Sequence, residues 1–252
     1  MFPTHSKYLS PKTDLVFKRI FGEHPHLLIS FLNGILPLPE GGMITEITYL
    51  SPEQVPDLII LKNTIVDVKC TDQRGRTFIV KMQMQWNKHF TSRMILNTSK
   101  AYSRQIEAGD PYGLLCPVYG IALVDTIFEP ETTEWFHQYQ ILNTKDSNKQ
   151  LEGLELFFIE LPKFIPSTWK ERKLGVLWLR FLSEVSDKND TVPAELLEDD
   201  TLKEALELAR RAAYTLGELE WYDKYWDSIS REKTLLIGSF DKGKEEGIVI
   251  GI

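Results

Sequence analysis

The segment Asp67-Val-Lys-Cys-Thr-Asp-Gln-Arg-Gly-Arg-Thr-Phe-Ile-Val-Lys-Met-Gln83 constrains the chain most, because it puts polar residues where a core strand should be apolar. Two β-branched-rich stretches, residues 65–70 and 77–86, flank the cluster Asp72-Gln-Arg-Gly75, whose residue types close hairpins. Side chains alternate along a strand, so Lys81, Gln83 and Gln85 share one face of the second strand, and Val80, Met82, Met84 and Trp86 share the other. One face is expected to pack and the other to be polar.

An Asp on one strand, a turn, and Glu-x-Gln or Glu-x-Lys on the next form the metal-binding core of the PD-(D/E)xK nuclease superfamily. The chain resembles one branch of it, the Rpn (recombination-promoting nuclease, or putative-transposase) family. The matching stretches are Thr13-Asp-Leu-Val-Phe-Lys-Arg-Ile-Phe-Gly22, Leu28-Ile-Ser-Phe-Leu-Asn-Gly-Ile-Leu36, the Asp67 hairpin, residues 90–93 with Ala101-Tyr102, and residues 112–121. They fall in the first half of the chain. The family hairpin ends in Val-Glu-Met-Gln, whereas this one reads Val80-Lys81-Met82-Gln83. Lysine stands at the position of the second metal-binding carboxylate.

Phosphodiester hydrolysis needs a nucleophilic water and compensation for negative charge building on the phosphate, and a divalent metal supplies both. Mg²⁺ prefers oxygen ligands, typically one or two carboxylates with waters and substrate phosphate. The resemblance implies Asp67 as metal ligand, position 81 as its partner, and Gln83 as the residue that orients the attacking water. With Lys81 in place, the expectation is that its ammonium pairs with Asp67 and occupies the metal position, so that Mg²⁺ or another divalent cation binds weakly or not at all. Charge reversal at a ligand adds repulsion of about 4 kcal/mol, for unit charges ~4 Å apart at an effective dielectric near 20.

A competing placement uses Pro56-Asp57 followed by Asp67-Val68-Lys69, which spells the superfamily motif upstream of the hairpin. If Asn63-Thr64 makes a two-residue turn, Asp57 lies roughly 10 Å along the strand from the position opposite Asp67, at ~3.3 Å per residue. Paired metal ions sit about 4 Å apart, so the hairpin placement is the better one.

The 252 residues, 42% apolar and 11% aromatic, are enough for a substantial folded core. The opening residues 1–12 are polar and contain proline, and no apolar run approaches the ~20 residues that span a bilayer. A cytoplasmic protein with no membrane partner is expected. Cys70 and Cys116 are too few for a disulfide framework or a zinc cluster and read as small buried residues. The net charge of −7 opposes a nucleic-acid partner overall. Its distribution does not: residues 1–110 carry 13 Lys+Arg against 10 Asp+Glu, and the acidic excess falls in the remainder. Lys88, Arg93 and Lys100, with Arg104 beyond, lie on or beside a helix expected over residues 90–108 and are the candidate DNA-backbone contacts. A solvated helix face is the other reading of these cations.

Ser10-Pro11 predicts a first helix, with Ser10 capping it and Leu15, Val16, Arg19 and Ile20 in helical register. Asp14 falls in its first turn, where it suits the helix dipole. An acid on this helix can also join the metal site in the superfamily. A second helix is expected over residues 26–36, then strands over 44–50 and 58–61, the hairpin, the long helix and a buried strand over 117–124. Further strands are expected over 136–142 and 155–161, with 143–153 as a polar loop. Amphipathic helices follow over 170–184 and 200–228. Helical spacing assigns Trp169, Trp178, Trp221 and Trp226 to packing rather than base stacking.

Gly243, Gly247 and Gly251 recur every four residues near the end. On a helix they share one face and would admit a partner helix, and such Gly-periodic tails resemble those of the family. An unstructured end is the alternative, since glycine costs a helix about 1 kcal/mol per residue. No phosphate-binding loop, His-Glu-x-x-His or Gly-x-Ser-x-Gly motif is present, and the five histidines are scattered.

The expected fold is α/β, a restriction-endonuclease-like mixed sheet flanked by helices over residues 1–165, followed by a helical region over 166–238 and a Gly-periodic tail over 239–252. Two functional classes follow from the resemblance. One is a metal-dependent DNA endonuclease of the transposase or recombination-promoting type, impaired by Lys81. The other is a catalytically inactive nuclease-fold protein acting in DNA binding or self-association, with the C-terminal region as a route to a homo-oligomer.

Overall fold

A computed structural model describes residues 6–50, 65–84, 86, 89–169 and 173–249, with residues 65–67 as backbone. Six strands form one mixed sheet: β1 (Ile47–Tyr49), β2 (Ile65–Asp72), β3 (Thr77–Gln83), β4 (Val118–Val124), β5 (Phe136–Asn143) and β6 (Asp146–Glu160), in the order β1-β2-β3-β4-β6-β5. The pairs β1/β2, β2/β3 and β5/β6 are antiparallel, while β3/β4 and β4/β6 are parallel. Parallel neighbours require a crossover, and between β3 and β4 it is α3 (Phe90–Ser103). The apolar runs of β3 and β4 suit the middle of a sheet covered on both sides, and every residue of β3 is buried.

On one face α3 lays Phe90 and Met94 against Ala122, Val124 and Phe158, with Trp86 and Phe128 stacked at 4.0 Å beside them. The seat is tight. A Cβ on Gly120 of β4 would meet Thr98 Cγ2 at 2.6 Å and Leu156 Cδ2 at 2.7 Å, so only glycine lets α3 come this close. On the other face Phe78, Tyr119 and Phe157 stack across β3, β4 and β6 at 5.1 and 6.4 Å. Beyond β2 lie α1 (Asp14–Glu23) and α2 (Pro25–Ile35), joined by α4 (Lys173–Glu184) through Phe21, Phe31 and Trp178, whose indole N–H donates to Ser30 Oγ at 3.0 Å. Each such aromatic pair adds about 1 kcal/mol beyond area burial.

Several sequence expectations need correcting. The first helix starts at Asp14, with Thr13 rather than Ser10 at its N-cap. The Thr13 hydroxyl instead donates to Ser10 O at 2.9 Å, which holds residues 10–13 in a turn. The helix expected to reach residue 108 ends at Ser103. Residues 143–153 do not form a loop: they are the tip of an exposed β5–β6 ribbon, in which Ile141 pairs with Leu151 and the turn lies between Asn143 and Asp146. Polar composition marked exposure there, not irregular backbone. The helix expected over 200–228 breaks into α5 (Asp200–Leu208), a 3-10 turn at Arg211–Ala213, and α6 (Leu216–Val249). The break is encoded by a capping box: Thr215 N–H and hydroxyl donate to Glu218 Oε2 at 2.7 and 2.8 Å, and Glu218 N–H donates back to Thr215 Oγ1. Trp178 is fully buried, but Trp221 is 44% exposed, and Cys116 is only half-buried. The strand expected over 58–61 lies outside the described residues.

The chain forms two compact units, Met1–Ala213 and Tyr214–Ile252. The second is built on α6, where Trp221 and Tyr225 stack at 6.0 Å. Gly243 and Gly247 lie on this helix, and Gly251 is outside the described residues. Among the described residues, no helix is long and apolar enough to cross a membrane.

The β2–β3 turn is held by a buried ion pair. Asp72 accepts from Arg74 N–H at 3.0 Å, from Arg76 N–H at 2.9 Å and from the Arg76 guanidinium at 2.6 and 2.7 Å, while Gly75 adopts φ +75°. Arg76 also donates to Gly42 O at 2.7 Å, and Arg74 to Gly41 O, so the turn clamps the α2–β1 connection. Removing one partner strands a buried charge, which costs about 3–5 kcal/mol. Asp72→Ala is expected to lower unfolding free energy by roughly 3 kcal/mol or more in urea titration, and a change under about 1 kcal/mol would mean the clamp is not structural.

Candidate functional site

The hairpin register pairs Asp67 with Lys81, Val68 with Val80, Lys69 with Ile79 and Thr71 with Thr77. Directly opposed residues on antiparallel strands share a face. In the parallel ladder Lys81 and Gln83 lie beside Ala122 and Val124, and these in turn beside Phe158 and Glu160. Lys81 and Gln83 therefore stand on the α3 face of the sheet. Lys81 is 3% exposed and Gln83 2%. Lys81 and Gln83 share one face, as the alternation predicts, and that polar face lies in the interior rather than at the surface. Gln85 and Lys88 lie outside the described residues, as does Asp57 of the competing motif.

Arg93 and Lys100 recur at helical spacing on α3, with Arg104 just past its end. Of these, Arg104 joins Ala101 and Gln105 in lining a groove of about 580 Å³ whose other wall is Lys69, Thr71, Thr77 and Ile79. Arg93 is half-buried, its guanidinium 5.6 Å from the Phe90 ring. The structure thus brings the strand positions and the basic helix flank to one side of the sheet. On α1 the Asp14 carboxylate lies 3.1 Å from Lys18 Nζ, one turn along the helix.

The residue types do not fit a divalent cation at Asp67 and Lys81. Opposite Asp67, Lys81 offers an ammonium and no oxygen donor. Burial, aided by the Asp72 carboxylate, pushes the Cys70 thiol on β2 up to about 12.

Sequence reasoning missed a charged cluster at the end of the same sheet face. Glu160, fully buried on β6 in the row of Gln83 and Val124, accepts from Lys163 Nζ at 2.6 Å, from Phe128 N–H at 2.7 Å and from His137 at 2.9 Å. His137 lies 3.5 Å from Glu129, and Lys163 also donates to the carbonyls of Glu129 and Glu134. The cluster ties the β4–β5 connection to β6. Its signal was a lone acid ending the apolar run Leu156-Phe-Phe-Ile159, followed three residues later by Lys163.

Burial alone would raise the Glu160 carboxyl, but hydrogen bonds from Lys163, Phe128 N–H, His137 and Glu129 N–H outweigh it and hold it below its ordinary 4.5. A carboxyl depressed in the folded state contributes stability that is complete above 4.5 and lost as pH falls through that value toward the folded one. Urea unfolding at about pH 6 and about pH 4 is expected to show a loss in the wild type that is smaller in Glu160→Gln. Equal losses in both would remove Glu160 from the acid response.

A mixed six-stranded sheet with helices on both faces and a C-terminal helical region is the architecture of a restriction-endonuclease-like protein. Residues 11–234 match the PD-(D/E)XK nuclease family transposases, and the chain belongs to that family. No curated protein and no solved structure matches it.

Proposed function

We propose that this chain is a DNA-binding protein of endonuclease descent whose cleavage centre is silenced at Lys81. The supporting observation is the register of Asp67 with Lys81, together with the burial of Lys81 in a strand covered on both faces. A lysine in the interior does not swing away to admit a cation as a surface lysine would. Loss of one oxygen ligand and gain of a positive charge, at about 4 kcal/mol, would weaken divalent binding by roughly a thousandfold. In this reading Asp67, Lys81 and Gln83 are the remnant of a site that once nicked or cut duplex DNA. Arg93 and Lys100, with Lys88, hold the DNA backbone, residues 1–165 carry the nuclease fold, and the chain works in the cytoplasm. The Gly-periodic end of α6 is the self-association element, which sedimentation with and without residues 230–252 tests.

Plasmid nicking in Mg²⁺ by the wild type, Lys81→Glu, and Lys81→Glu with Asp67→Ala tests the silencing. Cleavage is expected only in Lys81→Glu and is expected to disappear again in the double variant. Equal, Asp67-dependent cleavage by wild type and Lys81→Glu would mean that another residue supplies the second oxygen ligand and that the centre is active.

A stability measurement reads the same site without activity. Two carboxylates opposed at 67 and 81 repel one another until a cation separates them. The melting temperature of Lys81→Glu is expected to lie below that of the wild type in EDTA and to rise with added Mg²⁺, while the wild type does not respond. A Mg²⁺-dependent rise in the wild type would contradict the proposed occupation of the metal position by Lys81.

A further inference from the structure

The groove beside α3 is larger and of different chemistry from what a backbone contact needs. Its volume is about 580 Å³, and its lining divides into an apolar set, Leu50, Ile79, Ala101 and Leu114, and a polar set that includes Lys69, Thr71, Thr77 and Arg104. Duplex phosphates meet cations on open surfaces and need no apolar recess. An apolar recess edged by two cations and two hydroxyl groups suits a group that is flat and apolar at one end and anionic at the other. Within a nucleic acid, that group is a nucleotide whose base has left the stack.

The groove is also placed for one. Lys69 and Thr71 follow Asp67 on the same face of β2, and Ile79 and Thr77 oppose them on β3. At ~3.3 Å per residue, the near edge of the groove lies about 7 Å along β2 from position 67 and its far edge about 13 Å. A nucleotide neighbouring the one at position 67 would reach it without breaking the strand's path. The far wall is fixed: Gln105 donates to Cys116 O at 2.8 Å and accepts from Cys116 N–H at 2.7 Å, which ties the segment bearing Leu114 to the end of α3. A preformed recess loses little entropy on binding.

We propose that this groove receives an unpaired nucleotide, with its base against Leu50, Ile79, Ala101 and Leu114 and its phosphate between Lys69 and Arg104. The inference rests on the DNA-binding reading above and adds to it a substrate form: a duplex with a single-stranded tail or a frayed end rather than an intact one. It does not depend on cleavage.

The experiment measures binding of three probes to the full chain by fluorescence anisotropy: a blunt duplex, the same duplex with a short single-stranded tail, and a fluorescent deoxynucleoside monophosphate. The tailed duplex is expected to bind about tenfold more tightly than the blunt one, the effect of sequestering a single base. Ala101→Trp, which fills the recess from a partly exposed helix position, is expected to abolish that preference and leave blunt-duplex binding unchanged. Equal affinity for tailed and blunt duplex in the wild type overturns the proposal and needs no variant to fold. So does a preference that survives Ala101→Trp. Binding of the free mononucleotide, lost in Ala101→Trp, without any tail preference assigns the groove to free nucleotides instead of strand ends. Failure of every duplex to bind, with the mononucleotide still bound, overturns the DNA-binding reading and leaves the groove as a nucleotide site. Failure of all three probes overturns both.

Discussion

Covering β3 on both faces is the constraint from which the rest of the structure follows. A strand in that position has parallel and antiparallel neighbours and is buried along its whole length, so any polar side chain on it must be accommodated internally. Lys81 and Gln83 are carried there against that cost. Nuclease members of the family need polar groups in this interior because a metal and a phosphate are brought to them. In this chain that row holds Lys81 and Gln83, with Lys81 opposite Asp67. The covering helix has its own requirement, a glycine at 120, without which α3 would be pushed off β4.

The sheet's middle was legible because its strands are short, β-branched and separated by turn chemistry. The hairpin, β4 and the opening helices fall within a few residues of where the pattern places them. The register of Asp67 with Lys81 was implicit in the length of the Asp72-Gln-Arg-Gly75 turn, since a hairpin's turn sets which residues face each other. Family resemblance supplied the meaning of that pair, which alternation alone does not contain.

What the sequence concealed was of two kinds. The tip of the β5–β6 ribbon, residues 143–153, reads as loop because its residues are polar, yet cross-strand pairing satisfies a backbone whether or not its side chains reach a core. The Glu160 cluster and the groove beside α3 are assembled from segments distant in the chain, Phe128 with Glu160 in one case and Lys69 with Arg104 in the other. Periodicity within an element says nothing about such meetings. The capping box at Thr215 differs, for its Thr-x-x-Glu spelling was present and was overridden by a continuous amphipathic pattern on both sides.

The turn that joins β2 to β3 has a bearing on how the chain reaches this structure. Its contacts span only a few residues, so closing it costs little loop entropy, whereas β4 can join β3 only after α3 has been laid down as the crossover. Folding order thus favours the hairpin, and the partnership of positions 67 and 81 is chosen before the sheet has a centre. A residue exchanged at 81 is met first by one strand and one turn, and only later by the packed interior.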